Sequence, residues 1–210
     1  MDAYFIIGNN VDLTKYDFTN SVVIGIDRGA YVAYLSNVKL DYAVGDFDSI
    51  SAQELKTLES YTNVIKLNPI KDETDTLYAL RMFKEYDNLY LLGGISGSRI
   101  DHFVANLKLL YEFENLVIID ENTMVMECRS GLELPKDEYK YYSFFALEDV
   151  ANLTLSGFKY NLLNHNLSHQ SGLCVSNEID SIGYVTYSSG RLLLIKTKEF
   201  WKYENWKQWH

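Results

Sequence analysis

The chain has 210 residues, of which 47% are hydrophobic, enough for one large core or for a moderate core with a smaller second one. Its formal net charge of −10 argues against a nucleic-acid partner, because an acidic surface repels a polyphosphate backbone. Cys128 and Cys174 lack CxxC spacing, which disfavours a disulfide scaffold or a zinc site. With no signal-peptide pattern and no apolar run near the roughly 20 residues that span a bilayer, we expect a cytoplasmic protein without a membrane partner.

The first part of the chain has the pattern of a parallel sheet covered by helices. Up to about Asp120, short runs rich in β-branched residues alternate with segments of helical periodicity, which is typical of βαβ units. The runs predict strands at Tyr4–Ile7, Val22–Ile26, Tyr42–Val44, Val64–Leu67, Leu89–Leu92 and Leu116–Ile119.

Three helices are predicted between these strands. Ser51 and Glu54 have the spacing of a capping box, so one helix should begin at Ser51. A second helix should carry Leu77, Leu80 and Phe83. The third should present a single apolar stripe, formed by Ile100, Phe103, Val104, Leu107, Leu110 and Tyr111.

After Glu121 the pattern changes to short strands separated by turn residues, which indicates a small antiparallel β-sandwich. Alternation predicts a strand through Met124, Met126 and Cys128. Further strands are expected at Leu153–Leu155, Leu173–Val175, Tyr184–Tyr187 and Leu192–Ile195. We place the boundary near residue 122, which gives an α/β domain at 1–122 and a sandwich at 123–210.

Acidic residues and glycines gather directly after the predicted strands of the first domain. Four segments carry them: DRG at Asp27–Gly29, GDFDS at Gly45–Ser49, KDETD at Lys71–Asp75 and GGISGSRIDH at Gly93–His102. Because the carboxyl ends of parallel strands share one edge of an open sheet, these segments should meet in one crevice. The joint occurrence of acids, glycines and an arginine predicts metal-bound phosphate chemistry.

The acidic segments also have simpler interpretations. Asp46 and Asp48 can share one hard cation through oxygen ligands, although aspartates are equally common in Asx-turns and helix caps. Asp72 could cap the helix that follows it, with Asp75 complementing the positive end of that helix. Taken alone, capping is the stronger interpretation of KDETD.

The Gly93–His102 segment favours phosphate binding. Its glycines allow backbone N–H groups to approach an anion, a helix begins at about Ile100, and Arg99 adds a planar fork for phosphate oxygens. The segment has neither the ending of a Walker A loop nor GxGxxG spacing. The alternative is a glycine-rich turn with Asp101 as the helix cap and His102 on the helix surface.

These four motifs, together with SNE at Ser176–Glu178, resemble the thiamine pyrophosphokinase family in order and spacing. The resemblance implies a Rossmann-like α/β domain that binds ATP and Mg²⁺, followed by an antiparallel β-sandwich that binds thiamine. It also implies a homodimer and the transfer of pyrophosphate from ATP to the hydroxyl of thiamine, giving thiamine diphosphate and AMP.

The resemblance further implies the roles of individual residues. The magnesium ligands would be Asp46, Asp48 and Asp75. The catalytic set would add Asp72, Arg99 and Asp101 to those three. The nucleotide would contact Asp27, Arg28, Gly29, Thr74, Gly93, Gly94, Gly97, Arg99 and His102. Thiamine would contact Ser176 and Asn177.

Several points stay open at this stage. The proton acceptor is either Asp72 or Asp101, and Ser98 stands where the family commonly has a glycine. Alternative functions are a pyrophosphokinase for another small alcohol such as a hydroxymethylpterin, a non-catalytic nucleotide-binding protein, and a metal-dependent phosphohydrolase. SNE favours thiamine. The tail at residues 200–210, with three tryptophans, is predicted to form a last strand and an aromatic cap, with membrane docking as the alternative.

Overall fold

The structure is a computed structural model that describes residues 1–8, 11–96 and 99–199. The chain divides into two compact units, Met1–Glu121 and Asn122–His210. Among the described residues, no helix is both long enough and apolar enough to cross a membrane. The predicted strand and aromatic cap of the tail lie outside the described residues.

The first unit is built on six parallel strands: β1 (Asp2–Ile6), β2 (Ser21–Ile26), β3 (Tyr42–Gly45), β4 (Asn63–Lys66), β5 (Leu89–Leu92) and β6 (Leu116–Ile119). Their order in the sheet is β4-β3-β2-β1-β5-β6, and each neighbouring pair is parallel. The strand order therefore reverses between β1 and β5. In open parallel sheets, ligands bind at the carboxyl ends of the strands that flank such a reversal.

In the described part of this unit, four α-helices accompany the sheet: α1 (Arg28–Leu35), α2 (Ala52–Tyr61), α3 (Asp75–Met82) and α4 (Ile100–Leu109). The capping box at the start of α2 is confirmed, because the Glu54 N–H donates to Ser51 Oγ and the Ser51 N–H donates to Glu54 Oε2. Helix α1 was not predicted.

The expected caps of the other two helices are wrong. The N-cap of α3 is Thr74, whose Oγ1 accepts the Leu77 N–H at 3.2 Å, so Asp72 does not cap this helix. Asp101 lies within the first turn of α4, after Arg99 at the N-cap position. Neither aspartate therefore has the capping role that would explain its presence.

The apolar stripe predicted for α4 is confirmed only in part, because Leu110 is buried and Phe103 and Leu107 are half-buried while its other three residues are exposed. Ile100 is 72% exposed, Val104 46% and Tyr111 50%, whereas the residues that α4 buries are Asn106 and Leu109. Asn106 takes a core position because its amide hydrogen-bonds a backbone carbonyl beneath the helix. A pattern based on apolar residues cannot anticipate a helix that is anchored by a polar side chain.

Within residues 122–199, the second unit contains six strands: β7 (Thr123–Cys128), β8 (Leu132–Pro135), β9 (Tyr141–Phe158), β10 (Leu162–Leu167), β11 (Ile179–Thr186) and β12 (Ser189–Thr197). The first part of β9 pairs with β12, which also pairs with β7, and the last part of β9 pairs with β10 and β11. All of these pairs are antiparallel. Their inward side chains form one apolar core that includes Phe144, Leu153 and Phe158, so the predicted sandwich class is confirmed.

The strand predicted at Leu173–Val175 is wrong, because this segment is irregular in the structure. Leu173 and Val175 are exposed and only Cys174 is buried. The alternation that was taken for a strand reflects one inward side chain, and the Cys174 carbonyl accepts a single backbone hydrogen bond from Phe144. Sequence analysis did not predict β8, β10 or the first half of β9.

Candidate active site

A cavity of about 810 Å³ lies in the first unit at the carboxyl edge of its sheet. Its walls come from the ends of β1, β2 and β3, from the turn after β5, and from the first residues of α1, α3 and α4. The predicted site residues that line it are Asp27, Arg28, Asp46, Asp48, Thr74, Asp75, Gly94, Arg99 and His102. Four segments that are distant in sequence are thus brought to one place by the parallel sheet.

Three aspartates form the most concentrated group in the cavity. Asp27, Asp46 and Asp75 each offer a carboxylate oxygen, and these oxygens lie within 4.8 Å of one another. The sequence analysis expected Asp48 in this group and assigned Asp27 to the nucleotide. In the structure, Asp48 is exposed, and its backbone N–H donates to Asp46 Oδ1 at 3.1 Å. Asp48 lines the same cavity but lies outside the cluster of three.

Asp27 joins the cluster because of its backbone conformation. It follows β2 directly and has a positive φ of 48°, an uncommon conformation for a residue other than glycine. Its Oδ1 accepts the Phe47 N–H at 3.3 Å. A Cβ added at Gly45 would lie 1.9 Å from this oxygen, so the glycine leaves room for the carboxylate. The sequence signal was the motif DRG, in which Asp27 was predicted to contact the nucleotide and not the metal.

The cluster carries more negative than positive charge. Burial raises the pKa of Asp27 to about 6, and the charges of Asp75, Asp46 and Asp48 add to this effect, while the Phe47 N–H opposes it. Of the described residues, Lys71 is the one that forms ion pairs with the cluster, with its Nζ 2.8 Å from Asp75 Oδ1 and 3.9 Å from Asp46 Oδ2. One ammonium group therefore faces three carboxylates.

Lys71 leaves part of the cluster unsatisfied. Burial would lower the pKa of Lys71, but the contact with Asp75 and the charges of Asp46 and Asp27 outweigh it and raise the pKa. Asp75 Oδ1 is buried and, within the described residues, receives no well-directed hydrogen bond despite the nearby ammonium. Clustered carboxylate oxygens with spare acceptor capacity suit a hard cation such as Mg²⁺.

The turn after β5 forms the opposite side of the cavity. Gly93 and Gly94 have positive φ angles of 98° and 82°, a conformation that glycine adopts without strain. A Cβ at Gly94 would lie 2.5 Å from Asn106 Nδ2, so the turn packs closely on α4. Gly97 and Ser98 lie outside the described residues, and their predicted roles stay predictions.

Two buried polar residues support this turn, and sequence analysis missed both. Asn106 Nδ2 donates to the Gly94 carbonyl at 3.1 Å, and the Ser96 N–H donates to Asp120 Oδ2 at 2.8 Å. The available signals were a polar residue inside an apolar helix pattern and an aspartate directly after the predicted strand at Leu116–Ile119.

Arg99 and Asp101 form an exposed, bidentate ion pair beside the cavity. Arg99 Nε lies 3.0 Å from Asp101 Oδ1 and Arg99 Nη2 lies 2.7 Å from Oδ2, and both side chains are 64% exposed. The hydrogen bonds from Arg99 lower the pKa of Asp101 to about 2. Arg99 lines the cavity, but Asp101 does not. Since both partners are in water, Arg99 can exchange this carboxylate for another anion at little cost.

Other predicted residues have positions outside the cavity lining. Asp72 is exposed and does not line the cavity. Gly29 is buried in α1, where an added Cβ would lie 2.0 Å from the Ile6 carbonyl oxygen, so this glycine allows α1 to pack against β1. Gly93 ends its strand and begins the turn. The geometry gives packing or turn roles to both glycines.

The SNE motif lies in the second unit, beside a small pocket of about 110 Å³. Asn177 is 3% exposed, and its side chain bonds the backbone of Tyr160, accepting the N–H at 2.9 Å and donating to the carbonyl at 2.7 Å. Ser176 is exposed and has a positive φ of 57°, with its N–H donating to Ser143 Oγ. Asn177 thus shapes the pocket wall, while the Ser176 hydroxyl is accessible.

A parallel α/β sheet with a carboxylate cluster beyond β2 and β3, and with a glycine turn and an exposed arginine beyond β5, is typical of enzymes that transfer phosphate groups. Comparison with known families makes the class specific. The family model described as "Thiamin pyrophosphokinase, catalytic domain" matches residues 14–119, and the model described as "Thiamin pyrophosphokinase, vitamin B1 binding domain" matches residues 130–192. The chain belongs to the thiamine pyrophosphokinase family, which confirms the resemblance of its motifs.

Individual relatives agree with this assignment. Thiamine pyrophosphokinase of Bacillus subtilis (strain 168) is 34% identical over 198 residues, which cover 90% of this chain and 92% of that protein. A crystal structure of the B. subtilis protein aligns with a TM-score of 0.85 at 32% identity, covering 95% of this chain and 100% of that one. A structure from Geobacillus thermodenitrificans aligns with a TM-score of 0.84 at 31% identity, covering 95% and 98%.

Proposed function

We propose that this protein transfers the pyrophosphate group of ATP to the hydroxyl of thiamine, producing thiamine diphosphate and AMP. The observation that carries the proposal is the convergence of Asp27, Asp46 and Asp75 at one cavity in a chain that belongs to the thiamine pyrophosphokinase family. The match of residues 130–192 to a vitamin B1 binding domain favours thiamine over a hydroxymethylpterin as the acceptor.

The metal cofactor of the proposed reaction is Mg²⁺, held by Asp27, Asp46 and Asp75. The donor set supports this choice, because all of its ligand atoms are carboxylate oxygens, and a buried oxygen of Asp75 has acceptor capacity to spare. When bound, Mg²⁺ would neutralise part of the charge on the non-bridging phosphate oxygens. Asp48, which lines the same cavity, would add negative charge near the cation.

The turn after β5 and Arg99 would position the triphosphate. Among the described residues, the N–H groups of Gly94 and Ile95 donate no hydrogen bond, so they are available to phosphate oxygens. Arg99 would exchange the exposed carboxylate of Asp101 for a phosphate, which presents the same bidentate geometry. His102, also on the cavity wall, would contact the nucleotide.

The chemical step transfers the β,γ-pyrophosphate group of ATP from the oxygen of the α-phosphate to the hydroxyl oxygen of thiamine. The thiamine hydroxyl oxygen bonds the β-phosphorus in line, and the bond from that phosphorus to the bridging oxygen of the α-phosphate breaks, so AMP leaves with this oxygen. The hydroxyl proton passes to a carboxylate. Asp101 suits this role better than Asp72, because loss of Arg99 to the triphosphate would raise the pKa of Asp101 from its low value beside the cavity.

For the acceptor, we propose that the exposed Ser176 hydroxyl contacts thiamine and that Asn177 acts indirectly, by holding the backbone at Tyr160. We also propose, from the family resemblance, that the enzyme is a homodimer in the cytoplasm. Size-exclusion chromatography with light scattering would give the mass in solution, and a mass near the 24.3 kDa of one chain would exclude the dimer.

A product assay tests the function. The enzyme is incubated with ATP, Mg²⁺ and either thiamine, a hydroxymethylpterin or no acceptor, and the products are separated by chromatography. We expect AMP and thiamine diphosphate with thiamine alone. Formation of ADP would indicate an ordinary kinase. Release of phosphate without an acceptor would indicate a phosphohydrolase, and ATP binding without turnover would indicate a non-catalytic nucleotide-binding protein.

A further inference from the structure

Asp120 is a buried carboxylate outside the acidic cluster. It follows β6 directly and is 6% exposed. Its Oδ2 accepts both the backbone N–H and the hydroxyl of Ser96, and its Oδ1 accepts the N–H of Glu121. Within residues 11–96 and 99–199, no ion pair includes Asp120. Burying a carboxylate costs free energy unless hydrogen-bond donors surround it, and the two hydrogen bonds from Ser96 offset part of that cost.

The turn that Asp120 holds is fixed at three points. The Gly93 N–H donates to the Ile119 carbonyl at 2.7 Å, Asn106 donates to the Gly94 carbonyl, and Asp120 accepts from Ser96. Two successive peptide planes are thereby fixed. The Gly94–Ile95 plane is held through the Gly94 carbonyl, and the Ile95–Ser96 plane is held through the Ser96 N–H. Each plane is rigid and trans, so the N–H on one side and the carbonyl on the other are fixed together.

We infer that Asp120 is a positioning residue for the triphosphate of ATP and acts through Ser96. A free glycine turn can present either the N–H or the carbonyl of each peptide to a ligand, and carbonyl oxygens repel phosphate. Asp120 keeps the Ile95–Ser96 peptide plane in one orientation before ATP arrives, as Asn106 does for the Gly94–Ile95 plane. The inference rests on the proposed function, because it assumes that ATP binds in the cavity that Gly94 and Ser96 line.

Steady-state kinetics of Asp120 variants test the inference. We expect Asp120→Ala to raise the KM for ATP about tenfold or more, with the KM for thiamine within about twofold of the original value. Asp120→Asn retains one oxygen that can accept from Ser96, and Ser96→Ala retains the backbone bond, so both should give smaller increases. Adding Ser96→Ala to Asp120→Ala should raise the KM for ATP by a smaller factor than Ser96→Ala does alone, because the interaction that the two residues share is already lost.

A matched control separates positioning from stability. Asp41, just before β3 at the opposite edge of the sheet, also accepts a backbone N–H, from Val23 at 2.9 Å. Asp41→Ala should lower the melting temperature but leave the KM for ATP unchanged. The inference is overturned if folded Asp120→Ala keeps the original KM for ATP, or if the KM values for ATP and thiamine rise equally.

The same experiment distinguishes two failures. If the proposed function is wrong, the unmodified enzyme makes no AMP from ATP and thiamine, and calorimetry with a non-hydrolysable ATP analogue still reports whether Asp120 affects nucleotide binding. If only the role of Asp120 is wrong, the unmodified enzyme is active and both variants bind the analogue with unchanged affinity.

Discussion

Two acidic regions border the same cavity and differ in their electrostatic balance. In the cluster of Asp27, Asp46 and Asp75, burial and mutual repulsion raise the pKa of Asp27 to about 6. In the exposed pair, Arg99 lowers the pKa of Asp101 to about 2. The cluster has one ammonium group, that of Lys71, for three carboxylates, whereas the pair is already neutralised and can exchange partners. This contrast supports the proposed metal binding in the first region and the proposed anion binding in the second.

The largest expected effect comes from removing a charge from the cluster. Asp46→Asn should reduce turnover by roughly a thousandfold or more, because a metal ligand and its charge are lost, while the fold is retained because repulsion decreases. Product formation at saturating ATP and thiamine, with circular dichroism as the fold check, gives the result. Asp48→Asn is the matched control on the same wall and should lose much less activity. An equal loss in both variants would show that the cluster of three is not the functional unit.

The next effect concerns stability without metal. Because the folded pKa of Asp27 lies above 3.8, the native state loses stability as the pH rises from about 4 to about 6, and the cost persists above that range. Raising the pKa of Asp27 from 3.8 to about 6 corresponds to about 3 kcal/mol of lost stability. Asp27→Asn, which keeps the Phe47 hydrogen bond, should therefore be more stable than the original chain at pH 7.5 in EDTA, with the difference vanishing near pH 4. Urea unfolding at both pH values measures it, and a pH-independent difference would contradict the cause.

The smallest expected effect tests the exchangeable pair. Arg99→Lys keeps the positive charge but loses the planar guanidinium group that can make two parallel hydrogen bonds. We therefore expect the KM for ATP to rise about tenfold with little change in stability. Arg81 is a matched control, because it makes a similar bidentate contact with Glu112 but does not line the cavity. Arg81→Lys should leave the KM for ATP unchanged. If the two variants behave alike, Arg99 has no special relation to the triphosphate.

Sequence reasoning was most accurate where one physical constraint dominates. Strands buried on both faces must be apolar along their whole length, so β5 and β6 were predicted at their observed bounds. The convergence of the acidic segments followed from the parallel sheet alone. In contrast, β9 has 18 residues and pairs on several sides, which no local pattern reveals.

The composition of the site was harder to predict because it depends on side-chain directions. Asp27 reaches the cluster through an uncommon backbone angle, and Asp48 turns outward although it lies two residues from Asp46. Asn106 and Asp120 act through hydrogen bonds to a turn and leave no periodic signal. On α4, the hydrophobic pattern placed Leu110 correctly on the buried face but could not include Asn106.

The absence of a side chain at Gly45 has a consequence for the whole cluster. A single methyl group there would occupy the volume that now holds an oxygen of Asp27, and the carboxylate would have to swing away from its two neighbours. Such a substitution would disrupt the cluster although all three aspartates are still present. A count of the charged residues would not detect this change, because the residue that makes room for the carboxylate is itself uncharged.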